Sequence, residues 1–243
     1  MWYTYKVTCF WGLMMKIHGL AKLTLLDFPK RTACTVFTGG CNMRCPFCHN
    51  SLLVLSPDEA ENISEEEFFA FLSKRKGILD GVTVTGGEPT LNPDLPVFIQ
   101  KIKDMGFLVK LDTNGLNPEM LKTLLYNNSV DYVAMDIKAG FSNYDKATGI
   151  KNIDINKIKE SISLVKKFPE HEFRTTVVKG IHTTQDIVEI AEFFKGEECF
   201  YLQQFVDSGM LIDDTTKPES KENMLFYKQI LEKTIKNPII RGI

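Results

Sequence analysis

The chain has 243 residues, with 29 basic and 31 acidic side chains and a formal charge of −2. That near-balance, with no long basic run, argues against a dedicated nucleic-acid surface, whose affinity comes from neutralising many phosphates. No apolar stretch approaches the roughly 20 residues that span a bilayer, and a chain of this length can bury one sizeable core without disulfide staples.

Residues 1–14 end in a short apolar segment that lacks a basic start and a small-residue cleavage site. The family resemblance carried by the motifs further along implies a natural beginning at Met15-Lys16-Ile17, so that 1–14 are expected to be an N-terminal extension to one domain over 15–243. A first apolar strand is predicted over 33–38. Ser64-Glu65-Glu66-Glu67 reads as a capping box opening a helix whose apolar face carries Phe68, Phe69, Phe71 and Leu72. Strands follow over 81–85, 108–112, 132–137, 172–178 and 200–204, alternating with helical spacing over 92–105, 118–126, 153–168 and 184–194, and a final helix spans 217–235. Strands alternating with amphipathic helices give an α/β fold around a parallel sheet. Six such units without an internal repeat predict an incomplete (β/α)6 TIM-like barrel, with functional groups gathered at the carboxyl ends of its strands.

Six cysteines are present, three of them within the eight residues Cys41-Asn42-Met43-Arg44-Cys45-Pro46-Phe47-Cys48. Such clustering reads as metal binding in a reducing, cytoplasmic setting rather than a disulfide framework. Cys34 and Cys199 fall in predicted strands and read as small buried hydrophobes. The C-x3-C-x2-C loop offers three thiolates, one fewer than a closed tetrahedral metal site or a fully protein-ligated four-iron cluster requires. Other chemistries share the pattern: Cys45-Pro46-Phe47-Cys48-His49 fits c-type haem attachment or a redox pair, and Cys41, Cys45, Cys48 and His49 could form a Cys3His zinc set.

The remaining motifs stand at strand ends. In Gly86-Gly87-Glu88-Pro89 the glycines permit close backbone approach to a ligand and the carboxylate offers a fixed acceptor, although a plain strand-ending turn has the same composition. Asp112-Thr113-Asn114-Gly115 fits an ordinary strand-to-turn ending. Asp136 and Lys138, two apart on a strand, project to one face and can pair.

Taken together, the cysteine loop and Gly86-Gly87-Glu88-Pro89 resemble the radical S-adenosylmethionine (radical SAM) superfamily. The resemblance implies that Cys41, Cys45 and Cys48 ligate a [4Fe-4S] cluster whose fourth iron takes the amino and carboxylate groups of S-adenosylmethionine. It places Phe47 near the adenine, and Gly86, Gly87 and Glu88 at the methionine amino group. One electron from the reduced cluster would cleave the sulfonium C–S bond to a 5'-deoxyadenosyl radical, chemistry that belongs to the cofactor. With the two later motifs in place, the chain is similar to the activating enzymes of glycyl radical enzymes, which include pyruvate formate-lyase activating enzyme. That likeness implies cofactor contacts from Asp112, Asn114, Asp136 and Lys138, with Lys138 suited to the carboxylate and the two aspartates to polar groups or a nearby monovalent cation. Arg174 matches a basic residue of activases that assists cofactor or partner binding; an outward-facing surface arginine is the alternative.

The segment Gly19-Leu20-Ala21-Lys22-Leu23-Thr24-Leu25-Leu26-Asp27-Phe28-Pro29, leading into Gly39-Gly40-Cys41-Asn42, resembles anaerobic ribonucleoside-triphosphate reductase activating proteins. This implies a glycyl radical enzyme as partner and a low-potential electron donor such as flavodoxin or ferredoxin. Gln203-Gln204-Phe205-Val206-Asp207 departs from pyruvate formate-lyase activating enzyme, which has a Tyr-His pair nearby. Activation of another glycyl radical enzyme, or radical chemistry on a small molecule or RNA, stays open at this point.

Overall fold

Short β-branched and apolar runs bounded by glycine or aspartate form the strands of one sheet in the computed structural model, which describes residues 14–207 and 209–243. The proposed extension and its Cys9 therefore lie, except for Met14, outside the described residues. The strands are β1 (Ile17–Thr24), β2 (Ala33–Thr38), β3 (Gly81–Gly86), β4 (Leu108–Thr113), β5 (Tyr132–Asp136), β6 (Glu170–Lys179), β7 (Cys199–Gln204), β8 (Lys217–Pro218) and β9 (Asn237–Arg241). Their order is β1-β2-β3-β4-β5-β6-β7-β9, with β8 on β6. Neighbours from β2 to β7 pair in parallel, as do β7 and β9, whereas β1 runs antiparallel to β2. The two ends never meet, so the barrel is open.

All six expected strands are present. Sequence reading missed β1, β8 and β9. β1 carries two register shifts and little alternation in burial, β8 has two residues, and β9 contains Pro238. The helices are α1 (Ser51–Leu55), α2 (Glu65–Ser73), α3 (Leu95–Asp104), α4 (Pro118–Tyr126), α5 (Tyr144–Thr148), α6 (Ile155–Val165), α7 (Thr184–Phe193) and α8 (Lys221–Leu231). The final helix starts later than expected: Lys217–Pro218 is strand, and Ser220 then caps α8 by accepting from Asn223 N–H at 3.1 Å.

The expected capping box at α2 is only half formed. Ser64 Oγ accepts from Glu67 N–H at 3.1 Å, while Glu65 turns inward to accept from Met15 N–H (2.7 Å) and Lys101 Nζ (2.6 Å). The reciprocal box occurs at α7, between Thr183 and Asp186.

Alternation along the strands sorts two interiors. Val82, Val84, Val109, Leu111, Val133 and Met135 face outward into the helix layer. There α3 buries Phe98, Ile99 and Ile102, a one-face spacing in which each side chain contributes about 1.5–3 kcal/mol on burial. The opposite residues face the barrel axis. Phe28, Ala33, Tyr132 and Ala134 with Leu108 form a small separate apolar cluster, and beyond it, toward the strands' carboxyl ends, the axis turns polar and charged.

Candidate active site

The cysteine loop begins where β2 ends, and backbone hydrogen bonds hold it on several sides. Gly40 N–H donates to Leu53 O (2.8 Å), Arg44 N–H to Thr148 O (2.8 Å), and Asp213 N–H to Pro46 O (2.9 Å). Within the loop Arg44 Nη1 donates to the carbonyls of Cys41 (2.6 Å) and Met43 (2.8 Å). Cys41 Sγ accepts from Met43 N–H at 3.4 Å and from Asn114 Nδ2 at 3.8 Å. Burial pushes the Cys45 thiol up to about 11 and raises that of Cys41 as well, so ligation of either must displace a proton.

Next to this loop lies the end of β3. Gly87 N–H donates to Thr38 O and Glu88 N–H to Gly40 O, both at 2.8 Å. A Cβ on Gly86, where φ is +119°, would stand 2.3 Å from Thr38 N, and one on Gly87 would stand 2.0 Å from Gly40 O. The two glycines are thus required by close packing of the β3 turn on the cysteine loop, a constraint additional to any ligand. Gly87→Ala forces apart two backbone segments, an overpacking cost of about 1–3 kcal/mol. At about 2–4 °C per kcal/mol for a chain of this size, the melting temperature is expected to fall by several degrees; a melt indistinguishable from wild type would contradict the packing argument.

Glu88 is 1% exposed and fully engaged by the protein. Its Oε1 accepts from Thr90 N–H (3.1 Å), Thr90 Oγ1 (2.5 Å) and Thr113 Oγ1 (2.8 Å), and its Oε2 from Asn114 N–H (2.6 Å). Burial nonetheless outweighs these bonds and raises its pKa above the ordinary range. The carboxylate ties the end of β3 to the end of β4 and orients Asn114, whose Nδ2 also donates to Asn42 Oδ1 at 2.8 Å.

A charged network continues from β4 through β5 to β6. Arg174 points into the barrel, which settles the alternative of a surface arginine: its Nε donates to Asp136 Oδ1 (2.5 Å) and its Nη2 to Asp112 Oδ2 (3.0 Å). Lys138 Nζ donates to Asp136 Oδ2 at 2.9 Å. Lys110 Nζ, on the same strand face as Asp112, pairs with Asp112 Oδ1. Burial works against charge on both aspartates, but Arg174 with Lys138 at Asp136, and Arg174 with Lys110 at Asp112, hold both below the usual carboxylate range. Burial likewise opposes the Lys138 charge, and Asp136 outweighs it, so the Lys138 pKa is raised.

Lys138 is fixed through its backbone too. Its N–H donates to Tyr144 Oη at 3.2 Å and its carbonyl lies 2.7 Å from His182 Nε2. His182 Nδ1 accepts from Val178 N–H at 2.9 Å, which leaves the proton on Nε2 to bond the Lys138 carbonyl. The same imidazole meets the Phe47 ring edge-on, with centroids 5.8 Å apart.

One cavity of about 380 Å³ collects these parts. It is lined by every residue singled out from the sequence: the three cysteines, Phe47, Gly86, Gly87, Glu88, Asp112, Asn114, Asp136, Lys138 and Arg174. Its size falls within the ordinary range for small-molecule sites. Sequence reading missed Thr113, which also lines the cavity, and Lys110, Thr90, Tyr144 and His182, which hold the lining residues from behind.

Among the described residues no group of three or more His, Cys, Asp or Glu side chains is arranged to hold a single metal ion. A Cys3His zinc site needs four donors converging at about 2.0–2.3 Å from one point; His49 lines the same cavity as the cysteines and packs its ring on Phe205, centroids 5.4 Å apart, but the four form no such group. Three thiols lining one cavity, with no fourth cysteine among its lining residues, suit an iron–sulfur cluster that leaves one iron to a small ligand. The donor set and the adjoining polar cavity therefore fit both a cluster and its partner molecule.

An open parallel α/β barrel with a cysteine-lined pocket at its strand ends defines a class of cluster-dependent enzymes, and comparison with known proteins narrows it. Residues 35–194 match the family model described as the radical SAM superfamily. A Methanocaldococcus jannaschii protein provisionally named as a glycyl-radical enzyme activating enzyme is 35% identical over 234 residues, covering 93% of this chain and 96% of that one. The pyruvate formate-lyase-activating enzyme of Clostridium pasteurianum is 33% identical over 137 residues, covering 52% and 53% of the two chains. Among solved structures, QueE from Escherichia coli superposes with a TM-score of 0.57 over 95% of each chain at 15% identity, a likeness of fold. The chain belongs to the radical SAM superfamily and, within it, to the glycyl-radical enzyme activating enzymes. The cofactors of this superfamily are a [4Fe-4S] cluster and S-adenosylmethionine. No helix among the described residues is long and apolar enough to cross a membrane.

Proposed function

We propose that the protein installs a glycyl radical on an anaerobic ribonucleoside-triphosphate reductase, drawing electrons from a flavodoxin or ferredoxin in the reducing cytoplasm. The observation carrying the activase reading is the relative matched over nearly the whole of both chains. The reductase as target rests on the likeness of Gly19-Leu20-Ala21-Lys22-Leu23-Thr24 and the residues following it to reductase activators. The five described cysteines are all free thiols, as a reducing compartment requires.

In this reading Cys41, Cys45 and Cys48 hold the cluster, which with bound S-adenosylmethionine supplies a 5'-deoxyadenosyl radical able to take a glycine α-hydrogen. The chain's own task is to position and shield. Gly86 lines the cavity, and its carbonyl, which accepts from Asn50 Nδ2 at 3.0 Å, keeps a second lone pair as an acceptor for the methionine amino group. Lys138, fixed by Asp136, Tyr144 and His182, offers its ammonium to the methionine carboxylate. Glu88, although it lines the cavity, acts by bracing the ends of β3 and β4, since protein donors engage both its oxygens. Phe47, 4% exposed against His182, provides an apolar surface for the adenine.

Lys138→Ala removes a charged partner from the cavity wall and is expected to weaken S-adenosylmethionine binding roughly tenfold or more while the cluster still assembles. Equilibrium titration of the anaerobic protein checks this, and unchanged affinity would remove Lys138 from the site. The target is tested by electron paramagnetic resonance after anaerobic mixing with reductant, S-adenosylmethionine and either an anaerobic ribonucleotide reductase or pyruvate formate-lyase. A glycyl radical doublet with the reductase alone is the expected result; a doublet with the lyase alone would overturn the assignment.

A further inference from the structure

Two carboxylates side by side at the ends of adjacent strands would suit a monovalent cation, and the sequence likeness raised that expectation for Asp112 and Asp136. The structure does not fit it. Hard cations take oxygen ligands, and all four oxygens of this pair already accept from cationic side chains of the protein. Asp112 Oδ1 is paired with Lys110 Nζ, and Asp112 Oδ2 takes Arg174 Nη2 at 3.0 Å. Asp136 Oδ1 takes Arg174 Nε at 2.5 Å, and Asp136 Oδ2 takes Lys138 Nζ at 2.9 Å. Three cationic side chains thus face these two carboxylates, with Arg174 Nη1 also 3.8 Å from Glu172 Oε1, so a further cation would find every carboxylate oxygen of the pair already taken.

Lys110 is the unusual member. Its side chain is 2% exposed, inside the barrel, and bonds the Asp112 oxygen that Arg174 does not. Its register partners on the flanking strands are Thr83 and Tyr132. The Tyr132 ring centroid lies 5.9 Å from Nζ, and among the described residues Thr83 Oγ1 is buried without a hydrogen-bond partner. Neither neighbour supplies a second negative charge, so the ammonium is committed to Asp112. Lys138 by contrast lines the cavity and can turn its remaining donors to a ligand.

We infer that the Lys110 ammonium is a tethered substitute for a bound monovalent metal cation, and that the cofactor pocket of this protein works independently of potassium or sodium. Lys110 is on this account a positioning residue: it neutralises Asp112 from behind and so fixes the Arg174 bridge between the two aspartates. The inference rests on the reading of the cavity as the S-adenosylmethionine site for its effect on affinity, but its effect on stability is independent of that reading.

The test exchanges potassium chloride for N-methyl-D-glucamine chloride at constant ionic strength, since that bulky organic cation cannot take the place of a bare ion between the two aspartates. For the cofactor-free wild type the melting temperature is expected to be the same in both salts. For the anaerobically reconstituted wild type the S-adenosylmethionine Kd should agree within about twofold, well below the tenfold that 1.4 kcal/mol represents. Lys110→Ala frees Asp112 Oδ1 and opens space beside it. This variant should bind the cofactor about tenfold more weakly in the organic salt, with potassium restoring affinity, and thallium-205 resonance should show a bound ion that wild type lacks. A purely structural lysine would give a loss that no cation rescues, and that outcome overturns the inference. So does a wild type that binds thallium at this site or melts lower without potassium, and these two measurements decide the matter even if the variant fails to fold. Absence of any S-adenosylmethionine binding by the reconstituted wild type would instead count against the pocket's proposed function.

Discussion

Cys41→Ala protein, reconstituted anaerobically with iron and sulfide, is expected to lack the cluster's broad visible absorption, retain little iron and release no 5'-deoxyadenosine. The loop has no fourth cysteine to substitute for the one removed. His49 is turned against Phe205, and Cys34, the next cysteine before the loop, is fully buried in β2 with its side chain in the outer core. Losing one of three thiolates leaves two protein bonds to an assembly that needs three, and the loop's hydrogen bonds to its surroundings keep it from regrouping. Cys34→Ala is the informative control. Burial pushes that thiol up to about 12, so it is an inert apolar group. Its removal should cost about 1 kcal/mol of stability through the void it leaves and should spare iron content entirely. Equal iron loss in the two variants would refute the division between ligand and core cysteines; full iron retention in Cys41→Ala would refute the ligand assignment itself.

The part of the site legible in the sequence is the part that lies at strand ends in local motifs. Asp136 and Lys138 could be placed on one face because a strand repeats every two residues, and the structure finds them paired at 2.9 Å. The same rule applied to Lys110 and Asp112 would have found the second pair, but lysine inside a strand reads as a solvated position, and only the closed surroundings of β4 show that it is 1% exposed. His182 and Tyr144 were illegible for another reason. They act on Lys138 through backbone atoms across 44 and 6 residues, contacts that no short pattern encodes. Glu88 reads from the sequence as a fixed acceptor, but what fixes it, Thr113 and Asn114 25 and 26 residues further on, is not legible in its own motif. In the fold, the central strands are buried on both faces and betray themselves by composition. β1 and β9 form the margins, so their half-exposed sequences carry less signal and only pairing defines them.

The largest loss of stability from a single polar change is expected at Arg174, the one side chain that donates to both aspartates. Arg174→Met keeps most of the volume but removes both charged hydrogen bonds, leaving two carboxylates in a confined site with one lysine each. Breaking a buried ion pair costs about 3–5 kcal/mol. The lower figure applies here, because the aspartate side chains keep 13% and 27% exposure and the lysines remain. About 3 kcal/mol is a large share of the 5–15 kcal/mol typical of a domain, and it corresponds to a melting temperature lower by roughly 6–12 °C. Arg174→Lys should not restore it, since a single ammonium cannot replace a planar fork that spans two acceptors.

The pH dependence separates this electrostatic account from a simple packing defect. Arg174 holds both aspartates below the ordinary carboxylate pKa against the opposing effect of burial. Depressed folded-state values mean that the stabilisation is fully present above the unfolded-state value of about 3.9, and is lost as pH falls through the folded-state values below it. In Arg174→Met burial persists without the guanidinium, so the folded-state values rise and the ionised aspartates cease to stabilise the native state at neutral pH. The gap in melting temperature between wild type and variant should therefore be widest near neutrality and narrow on acidification, most steeply below about pH 4, where the wild type surrenders its own advantage. A gap that stays constant across that range would mean that Arg174 contributes volume rather than charge, and the cationic network would lose its central member.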